Sequence, residues 1–322
     1  MLKLQFNNQL KLNILEESET DATIRRRKDE LPNDLEQEIK SVAYLLQAQR
    51  IAAEVLSNIC TPDDDDMTEE MEDNSDAESV HDYDTTQQLN GSIQNSDKIP
   101  VEVSEAIKAM GIVEKLWARA QPLPENVLQI LMETNKNLLK RQNSLRISSL
   151  LCLHNFCNCM STEELGGAVA IYNVWIDLGQ QIFQTQCDFE ILEASTSLMR
   201  ATLEHLKTSP ELFKQMTETD LQLILDGVSG CDKSEIRANW LRMLGTLGCL
   251  LPEPLVKKIT DFILLTLIKE EDVWTMSEAL DSFMDMFSEN DWNQIVYDLN
   301  VIPKSKELEK ILKTKVSLIV IF

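Results

Sequence analysis

The sequence predicts an all-α fold in which short helices stack into a solenoid. Only nine Gly and nine Pro occur in 322 residues, while Leu, Glu, Ala and Met are abundant, a composition that favours helices. Four segments share one apolar spacing at near-constant intervals, and a long acidic stretch interrupts the series near its start. Together these observations predict a row of similar helical units with one insertion.

The shared pattern places small or apolar residues at +3, +4, +7 and +10 from a starting residue, which is one face of a helix. The segments start at Arg146, Ile191, Arg237 and Met276, which are 45, 46 and 39 residues apart. A period of about forty residues is typical of HEAT and armadillo arrays, whose helix pairs must stack to bury their apolar faces. The residues that we expect to be buried are Ser149, Leu150, Leu153, Phe156, Ala194, Ser195, Leu198, Ala201, Trp240, Leu241, Leu244, Leu247, Ala279, Leu280, Phe283 and Met286.

A fifth copy of the pattern starts at Gln49, 97 residues before Arg146. Removing the 37-residue acidic segment Thr61–Asp97 leaves a distance of 60 residues, or one repeat with a longer connection. An array tolerates such an insertion within or between repeats as a surface loop. The residues at the core offsets of this copy are Ala52, Ala53, Leu56 and Ile59.

Partner helices are predicted between these segments. Prolines precede two of them, and Pro in a first helical turn costs little because its missing N–H would have no partner there. The predicted partners are Glu125–Lys140, Glu211–Met216, Asp220–Val228 and Leu255–Lys269. The predicted organisation is a polar N-terminal segment (1–34), armadillo-like helices (35–60), a disordered acidic loop (61–97), HEAT-like repeats (98–314) and an atypical apolar tail (315–322).

The charge of the chain limits the classes of partner. The formal net charge is −24, and thirteen acids without any Lys or Arg lie in Thr61–Asp97, which leaves −11 for the rest. Direct binding of nucleic acid is not expected, because phosphate contacts need clustered Lys and Arg; basic partners are attracted instead.

Seven scattered cysteines favour a reducing intracellular compartment. The apolar run Val316–Phe322 is far too short to cross a membrane, and no membrane partner is expected.

The acidic segment is the strongest functional signal. It buries little, repels itself and is expected to stay disordered. Twelve charges over 22 residues give one per about 6 Å of extended chain, sparser than the about 3.4 Å between phosphates of a nucleic-acid strand. Between folded helices it suggests a trap for a basic partner, although acidic runs can also serve only solubility. The expected binding residues are Asp63, Asp64, Asp65, Asp66, Glu69, Glu70, Glu72, Asp73, Asp76, Glu78, Asp82 and Asp84.

Two serines in this segment are candidate phosphorylation sites. Ser75 and Ser79 each precede an acid by three residues, the pattern that acid-directed kinases favour, and each phosphate would add about −1.5 to −2 charges. A separate basic cluster, Arg25–Lys28, is either a nuclear-import signal or a solvated stretch, since two acids follow it directly.

No motif of the sequence predicts catalysis, a cofactor or a metal. Cys152, His154, Cys157 and Cys159 lie close together in sequence, but at 100° per residue Cys157 lies about 140° around a helix from Cys152, and Cys159 a further 200° from Cys157, so the ligands do not converge. They are better explained as small apolar residues of a buried helix than as a zinc site, and a hydrolase built on them is a remote alternative. Five tryptophans are expected in the core between repeats, with a recognition groove as the alternative: Trp117, Trp175, Trp240, Trp274 and Trp292.

The order of these segments resembles a known family. Arg50–Cys60 is similar to the last helix of an armadillo repeat, and it leads directly into the acidic run Thr61–Asp73, after which HEAT-like helices follow. This layout resembles the symportins over most of Leu31–Thr314. The resemblance implies a non-enzymatic chaperone and import adaptor for two large-subunit ribosomal proteins that assemble with 5S rRNA. The loop acids would then hold one of them by imitating rRNA, and the solenoid would bind an N-terminal segment of the other.

The resemblance also implies a location in cytoplasm and nucleus. Relative to the family, most of the N-terminal armadillo half is expected to be missing, together with any import-receptor signal that lies there. The alternative function is a generic helical-repeat scaffold whose loop is a solubilising linker. Loop-dependent, salt-sensitive binding of a basic protein distinguishes the two functions.

Overall fold

The computed structural model describes residues 33–60, 99–184, 188–288 and 292–319. The described residues form thirteen α-helices and one 3₁₀ helix, and they include no β-strand. The α-helices are α1 (Asn33–Ile59), α2 (Val101–Ala109), α3 (Ile112–Ala120), α4 (Glu125–Thr134), α5 (Lys136–Cys159), α6 (Ala168–Gln184), α7 (Phe189–Leu206), α8 (Glu218–Ser229), α9 (Ser234–Leu250), α10 (Glu253–Lys269), α11 (Val273–Ser288), α12 (Asn293–Asp298) and α13 (Val301–Ile319), and the 3₁₀ helix is Pro210–Phe213.

The helices begin where the sequence supplies caps. Pro100, Pro124 and Pro252 directly precede α2, α4 and α10, at positions where the absent N–H costs no helical hydrogen bond. At the start of α8, Thr217 and Asp220 form a capping box: the Asp220 carboxylate accepts from the Thr217 backbone N–H at 2.8 Å. Such pairs satisfy donors that a helix start otherwise leaves unbonded.

The predicted single helix Glu125–Lys140 is wrong, because the chain turns at Asn135. This residue leaves the helical region, with φ −150° and ψ 78°, and its side-chain oxygen accepts from the Leu138 backbone N–H at 3.0 Å. Asn is favoured at such a position because its side chain replaces a missing helical acceptor. The segment therefore ends α4 and starts the much longer α5. The predicted helix Glu211–Met216 is only the short 3₁₀ turn Pro210–Phe213.

The helices stack in two layers. Helices α1, α5, α7, α9 and α11 pack against one another in that order, and each carries one copy of the repeated pattern. In the second layer, α3 and α4 pack on α5, α6 packs on α7, and α8 and α10 pack on α9. The all-α solenoid that the sequence predicts is confirmed. No helix in the described part of the chain is both long and apolar enough to span a bilayer.

Burial at the core offsets depends on the position of the helix in the row. In α5, α7 and α9 all twelve predicted residues are buried, and none is more than 6% exposed. In α11, Leu280 and Phe283 are half-buried. In α1, Ala53 is buried, but Ala52 is exposed and Ile59 is 47% exposed, so the expectation fails there. Helix α1 has a row neighbour, α5, on one side only among the described residues.

Two arginines at the start of the repeated pattern connect the layers. Arg146 of α5 donates through Nε to the Ala120 carbonyl and through Nη2 to Gln181 Oε1, both at 2.8 Å. Arg237 of α9 binds the Glu270 carboxylate through both Nε (3.0 Å) and Nη2 (2.9 Å). Buried polar groups require such partners, so these side chains fix the spacing between successive units.

Candidate partner-binding surfaces

The predicted acidic site lies outside the described residues, between Cys60 and Ile99. The same holds for the candidate phosphorylation sites Ser75 and Ser79, and for the basic cluster Arg25–Lys28. The acids concerned are Asp63, Asp64, Asp65, Asp66, Glu69, Glu70, Glu72, Asp73, Asp76, Glu78, Asp82 and Asp84. The structure therefore shows where the insertion leaves and re-enters the solenoid.

Both ends of the insertion are attached near the C-terminal end of α5. On the α1 side, Asn155 Nδ2 donates to Ser57 Oγ at 2.7 Å and to the Ser57 carbonyl at 3.3 Å. On the α2 side, the buried Ser104 donates through Oγ to Glu164 Oε1 at 2.5 Å. Asn155 lies in the last turns of α5, and Glu164 lies in the turn that follows it. A 38-residue stretch, 61–98, thus begins and ends at one edge of the solenoid.

Glu164 is held as a charged carboxylate. Besides Ser104, it accepts from the Ser161 backbone N–H at 2.8 Å, and Lys108 Nζ lies 3.1 Å from Oε1. The Ser104 hydrogen bond first, then the Ser161 N–H and Lys108, lower the pKa of Glu164 to about 2, because each partner favours the ionised form. The attachment of α2 therefore depends on an ionised side chain.

A cavity of about 320 Å³ lies beside this attachment, between α3, α5, α6 and α7. Its walls are mainly apolar and include the half-buried Trp117. Two exposed carboxylates, Glu114 and Asp177, lie at the cavity, and neither forms an ion pair within the described part of the chain. Gly166 and Gly167, with φ of +102° and +87°, make the turn into α6, a conformation that glycine adopts without strain.

A second cavity, of about 370 Å³, lies between α6, α7, α8 and the 3₁₀ helix. Tyr172, Trp175 and Phe213 form an aromatic cluster there, with ring centroids 5.3 to 6.3 Å apart. Trp240 belongs to the core, where it stacks on Phe183 at 5.5 Å. The tryptophans are distributed over separate surroundings: Trp117 and Trp175 lie in different cavities, Trp274 is 49% exposed, and Trp292 is half-buried.

The cysteine and histidine run of α5 is divided among different neighbours. Cys157 lines the cavity of about 320 Å³, whereas Cys159 contacts Cys60 at the end of α1. Burial raises the pKa of Cys152 and of Cys157 to about 12, so both remain protonated thiols near neutral pH. Within the described ranges, no group of three or more His, Cys, Asp or Glu side chains could hold a metal ion.

Sequence reasoning missed Glu164 and the cavity. Glu164 could have been found, because Ser161 precedes it by three residues in the Ser-x-x-Glu spacing of a capping box. The spacing predicts the local contact with Ser161 but not the contact with Ser104, 60 residues away. The cavity is formed by four helices, and no spacing within one segment indicates it.

Comparison with known proteins identifies the family. Residues 101–319, from α2 to α13, match the family described as "SYO1-like, TPR repeats". HEAT repeat-containing protein 3 of Homo sapiens and that of Mus musculus are each 25% identical to the chain over 296 residues, or 87% of this chain and 43% of the relative. The chain thus spans less than half the length of these relatives, and no solved structure matches it. Because the family match covers more than half of the sequence, the chain belongs to the SYO1-like family of helical-repeat proteins.

Proposed function

We propose that this protein is a non-enzymatic chaperone and nuclear-import adaptor for basic large-subunit ribosomal proteins of the 5S ribonucleoprotein. The observation that carries the proposal is the insertion with twelve acids between Asp63 and Asp84, without a Lys or Arg, whose ends are attached to one edge of a helical-repeat solenoid. Membership of the SYO1-like family and similarity to HEAT repeat-containing protein 3 support a scaffold on which such a partner could be held.

Electrostatics explains how the insertion would act. Many carboxylates on a short segment attract a surface rich in Lys and Arg and speed the encounter. Once the partner is bound, the carboxylates pair with the Lys and Arg side chains that would otherwise contact rRNA or other polyanions. Salt should weaken the complex strongly, because dissolved ions screen the attraction between the loop carboxylates and the Lys and Arg side chains of the partner. The insertion would thereby replace rRNA until the ribosomal protein reaches its assembly site.

The experiment compares the intact chain with a variant in which the twelve acids become Asn or Gln at unchanged loop length. A control variant keeps all twelve acids but permutes the order of residues within Thr61–Asp97. Each purified chain is titrated with the 5S-associated ribosomal proteins at about 50 and about 200 mM salt. For one of these proteins we expect the neutral loop to weaken binding at least tenfold, the permuted loop to bind like the intact chain, and salt to weaken both charged forms.

The alternative function makes the opposite prediction. If the loop is only a solubilising linker, the neutral and intact chains bind equally or neither binds. That result would replace the chaperone function by a generic repeat scaffold. An rRNA fragment that fails to compete with the intact chain would contradict the imitation of rRNA specifically.

Phosphorylation of Ser75 and Ser79 should strengthen capture, because each phosphate adds about −1.5 to −2 charges to the loop. The measurement is the affinity of the kinase-treated chain for the ribosomal protein, with the Ser75→Ala, Ser79→Ala double variant as control. Equal affinity before and after phosphorylation contradicts this part of the proposal.

The import function can be tested separately. Alanine at all four positions of Arg25–Lys28 should reduce nuclear accumulation of a fluorescent fusion if this cluster is a signal. Alanine at Lys304, Lys306, Lys310 and Lys313 is the control, since it removes the same number of cations elsewhere. Equal accumulation of all forms would exclude Arg25–Lys28 as the signal.

A further inference from the structure

We propose that the cavity between α3, α5, α6 and α7 binds a single arginine side chain of a basic partner polypeptide. We call it the arginine cavity; Glu114, Trp117, Cys157, Val174 and Asp177 are among the residues that line it. The proposal rests on the proposed function only for the basic nature of the partner. The described residues that line the cavity all belong to the folded solenoid.

The walls of the cavity suit an aliphatic stem that carries a planar cation. On α3, Val113 and Trp117 are four residues apart and share one face, and on α6 Ala170 and Val174 do the same. At about 320 Å³, the space is at the lower end of the range for small-molecule sites, about 300 to 1,000 Å³. One long side chain, with its methylene groups against these walls, is therefore the better fit than a cofactor.

Two acidic side chains at the cavity have no ion-pair partner among the described residues. The exposed carboxylates Glu114 and Asp177 form no ion pair in the described part of the chain. The basic side chains of α2 and α3 have other partners. Lys115 donates a hydrogen bond to the Met110 carbonyl at 2.7 Å, Arg119 donates one to Gln49 at 3.0 Å, and Lys108 forms an ion pair with Glu164. Two unpaired acids beside an apolar cavity are complementary to a ligand with an apolar stem and a positive head.

Arginine satisfies this arrangement better than lysine. Its guanidinium group is planar, stacks on aromatic faces, and offers several N–H donors to carboxylates at once. The ammonium group of lysine is more strongly hydrated, so that entry into a partly apolar cavity costs more. Trp117 supplies the aromatic face and Glu114, three residues earlier on the same side of α3, supplies a carboxylate.

The position of the cavity connects it to the acidic insertion. Asn155, which holds the α1 end of the insertion, lies on a different face of α5 from the cavity residue Cys157, because side chains two residues apart on a helix point about 200° from one another. Glu164, which holds the α2 end, directly precedes Leu165, another lining residue. A basic polypeptide drawn in by the loop acids would thus meet the cavity near the α2 end of the insertion.

The test measures binding of the acetylated, amidated pentapeptide Gly-Ala-Arg-Ala-Gly to the full chain by isothermal titration calorimetry. A ligand of this size should bind with a Kd on the order of 1 mM. The same peptide with citrulline has nearly the same shape without the charge, and we expect at least tenfold weaker binding. The lysine peptide should bind several-fold more weakly than the arginine peptide.

Variants assign the binding to the cavity. The double variant Glu114→Gln, Asp177→Asn retains every loop acid and should bind the arginine peptide at least tenfold more weakly than the intact chain. Trp117→Leu should bind this peptide several-fold more weakly. The control Glu133→Gln, Glu307→Gln removes the same charge from exposed positions of α4 and α13 and should bind like the intact chain. Circular dichroism confirms that each variant is folded.

Three results would overturn the proposal: no saturable binding of the arginine peptide, equal binding of the citrulline peptide, or equal binding by the Glu114→Gln, Asp177→Asn variant. A lysine peptide that binds at least as tightly would overturn the assignment to arginine. None of these results affects the loop experiment, which uses whole ribosomal proteins and changes only the insertion. Conversely, if the neutral loop does not weaken binding of the ribosomal protein, saturable binding of the arginine peptide would still support the cavity.

Discussion

Helices α1 and α9 carry the same repeated pattern but occupy different surroundings. Eleven of the seventeen residues of α9 are buried, because α7 and α11 cover it on both sides within the row. Among residues 34–59 of α1, only Ala53 is buried. Large apolar side chains of α1 remain exposed, and these are Tyr44 (73%), Leu45 (52%), Ile51 (47%), Val55 (53%) and Ile59 (47%).

The difference shows that the neighbours of a helix, rather than its own pattern, determine which residues become core. Burial of an apolar side chain gains about 1.5 to 3 kcal/mol only when another surface covers it. The same holds for charged side chains. Arg237 of α9 and Glu270, which directly follows α10, are 17% and 9% exposed, whereas Lys40 and Glu36 of α1 are 61% and 48% exposed. Substitutions in α9 should therefore cost far more than equivalent ones in α1.

The largest loss of stability is expected for Arg237→Met. It leaves the Glu270 carboxylate, only 9% exposed, without its two guanidinium hydrogen bonds. Breaking a buried pair in this way costs about 3 to 5 kcal/mol. The free energy of unfolding, measured by urea denaturation, should fall by that amount. The double variant Arg237→Met, Glu270→Leu removes the unpaired charge and should recover part of the loss.

Lys40→Met in α1 is the matched control. It breaks the exposed Lys40–Glu36 pair, at 2.6 Å between Nζ and Oε1, and should leave the urea midpoint unchanged, because exposed pairs are well solvated in both states. If Arg237→Met and Lys40→Met had equal effects, the contrast between the two helices would be wrong for charged residues.

The next largest loss of stability is expected for Gly245→Val. A Cβ atom at Gly245 would lie 2.8 Å from Ser282 Cβ and 2.9 Å from Ser282 Cα, so the larger side chain would force α9 and α11 apart. Overpacking of this kind costs about 1 to 3 kcal/mol, measured again as the free energy of unfolding. Ala52→Val, on the exposed side of α1, adds volume without a collision and should change stability by about 0.5 kcal/mol or less. An unchanged stability of Gly245→Val would show that the two helices are not in close contact.

A smaller, pH-dependent effect is expected at Glu164, where α2 joins the end of α5. Its folded pKa of about 2 is below the ordinary value of 4.5, so its contribution to stability is complete above pH 4.5 and is lost as the pH falls toward 2. Partial exposure to solvent limits the contribution to about 1 kcal/mol. Glu164→Gln should lower the free energy of unfolding at pH 7 by this amount and flatten its decrease between pH 4.5 and 2. An unaltered pH profile would contradict the role of the carboxylate.

Much of the fold could be predicted from the sequence, because helical periodicity is a local property. The offsets from Arg146, Ile191 and Arg237 locate the buried face of the central helices correctly. The break at Asn135 was missed, since its conformation competes with the helical propensity of the flanking residues. The exposure of Ile59 was missed because it depends on which helices stand beside α1, which the pattern does not contain.

Less of the candidate site could be predicted. The charge and position of the insertion are visible in the sequence, yet its attachment depends on contacts such as Ser57–Asn155, which join residues 98 positions apart. The arginine cavity is hidden for the same reason: Trp117 and Asp177 belong to different helices and acquire a shared surface only through stacking. Spacing within one helix reveals faces, but it does not reveal which faces meet.

The smallest effect is expected on the exposed side of α1. Val55→Gln, at a position 53% exposed, removes little buried apolar area and improves helix propensity, so the free energy of unfolding should change by about 0.5 kcal/mol or less. Leu247→Gln, at a fully buried position of α9, should cost several-fold more. The comparison is made by urea denaturation of both variants at two protein concentrations. A loss of about 2 kcal/mol for Val55→Gln would mean that this side of α1 is covered in solution, and a dependence of that loss on concentration would identify a second copy of the chain as the cover.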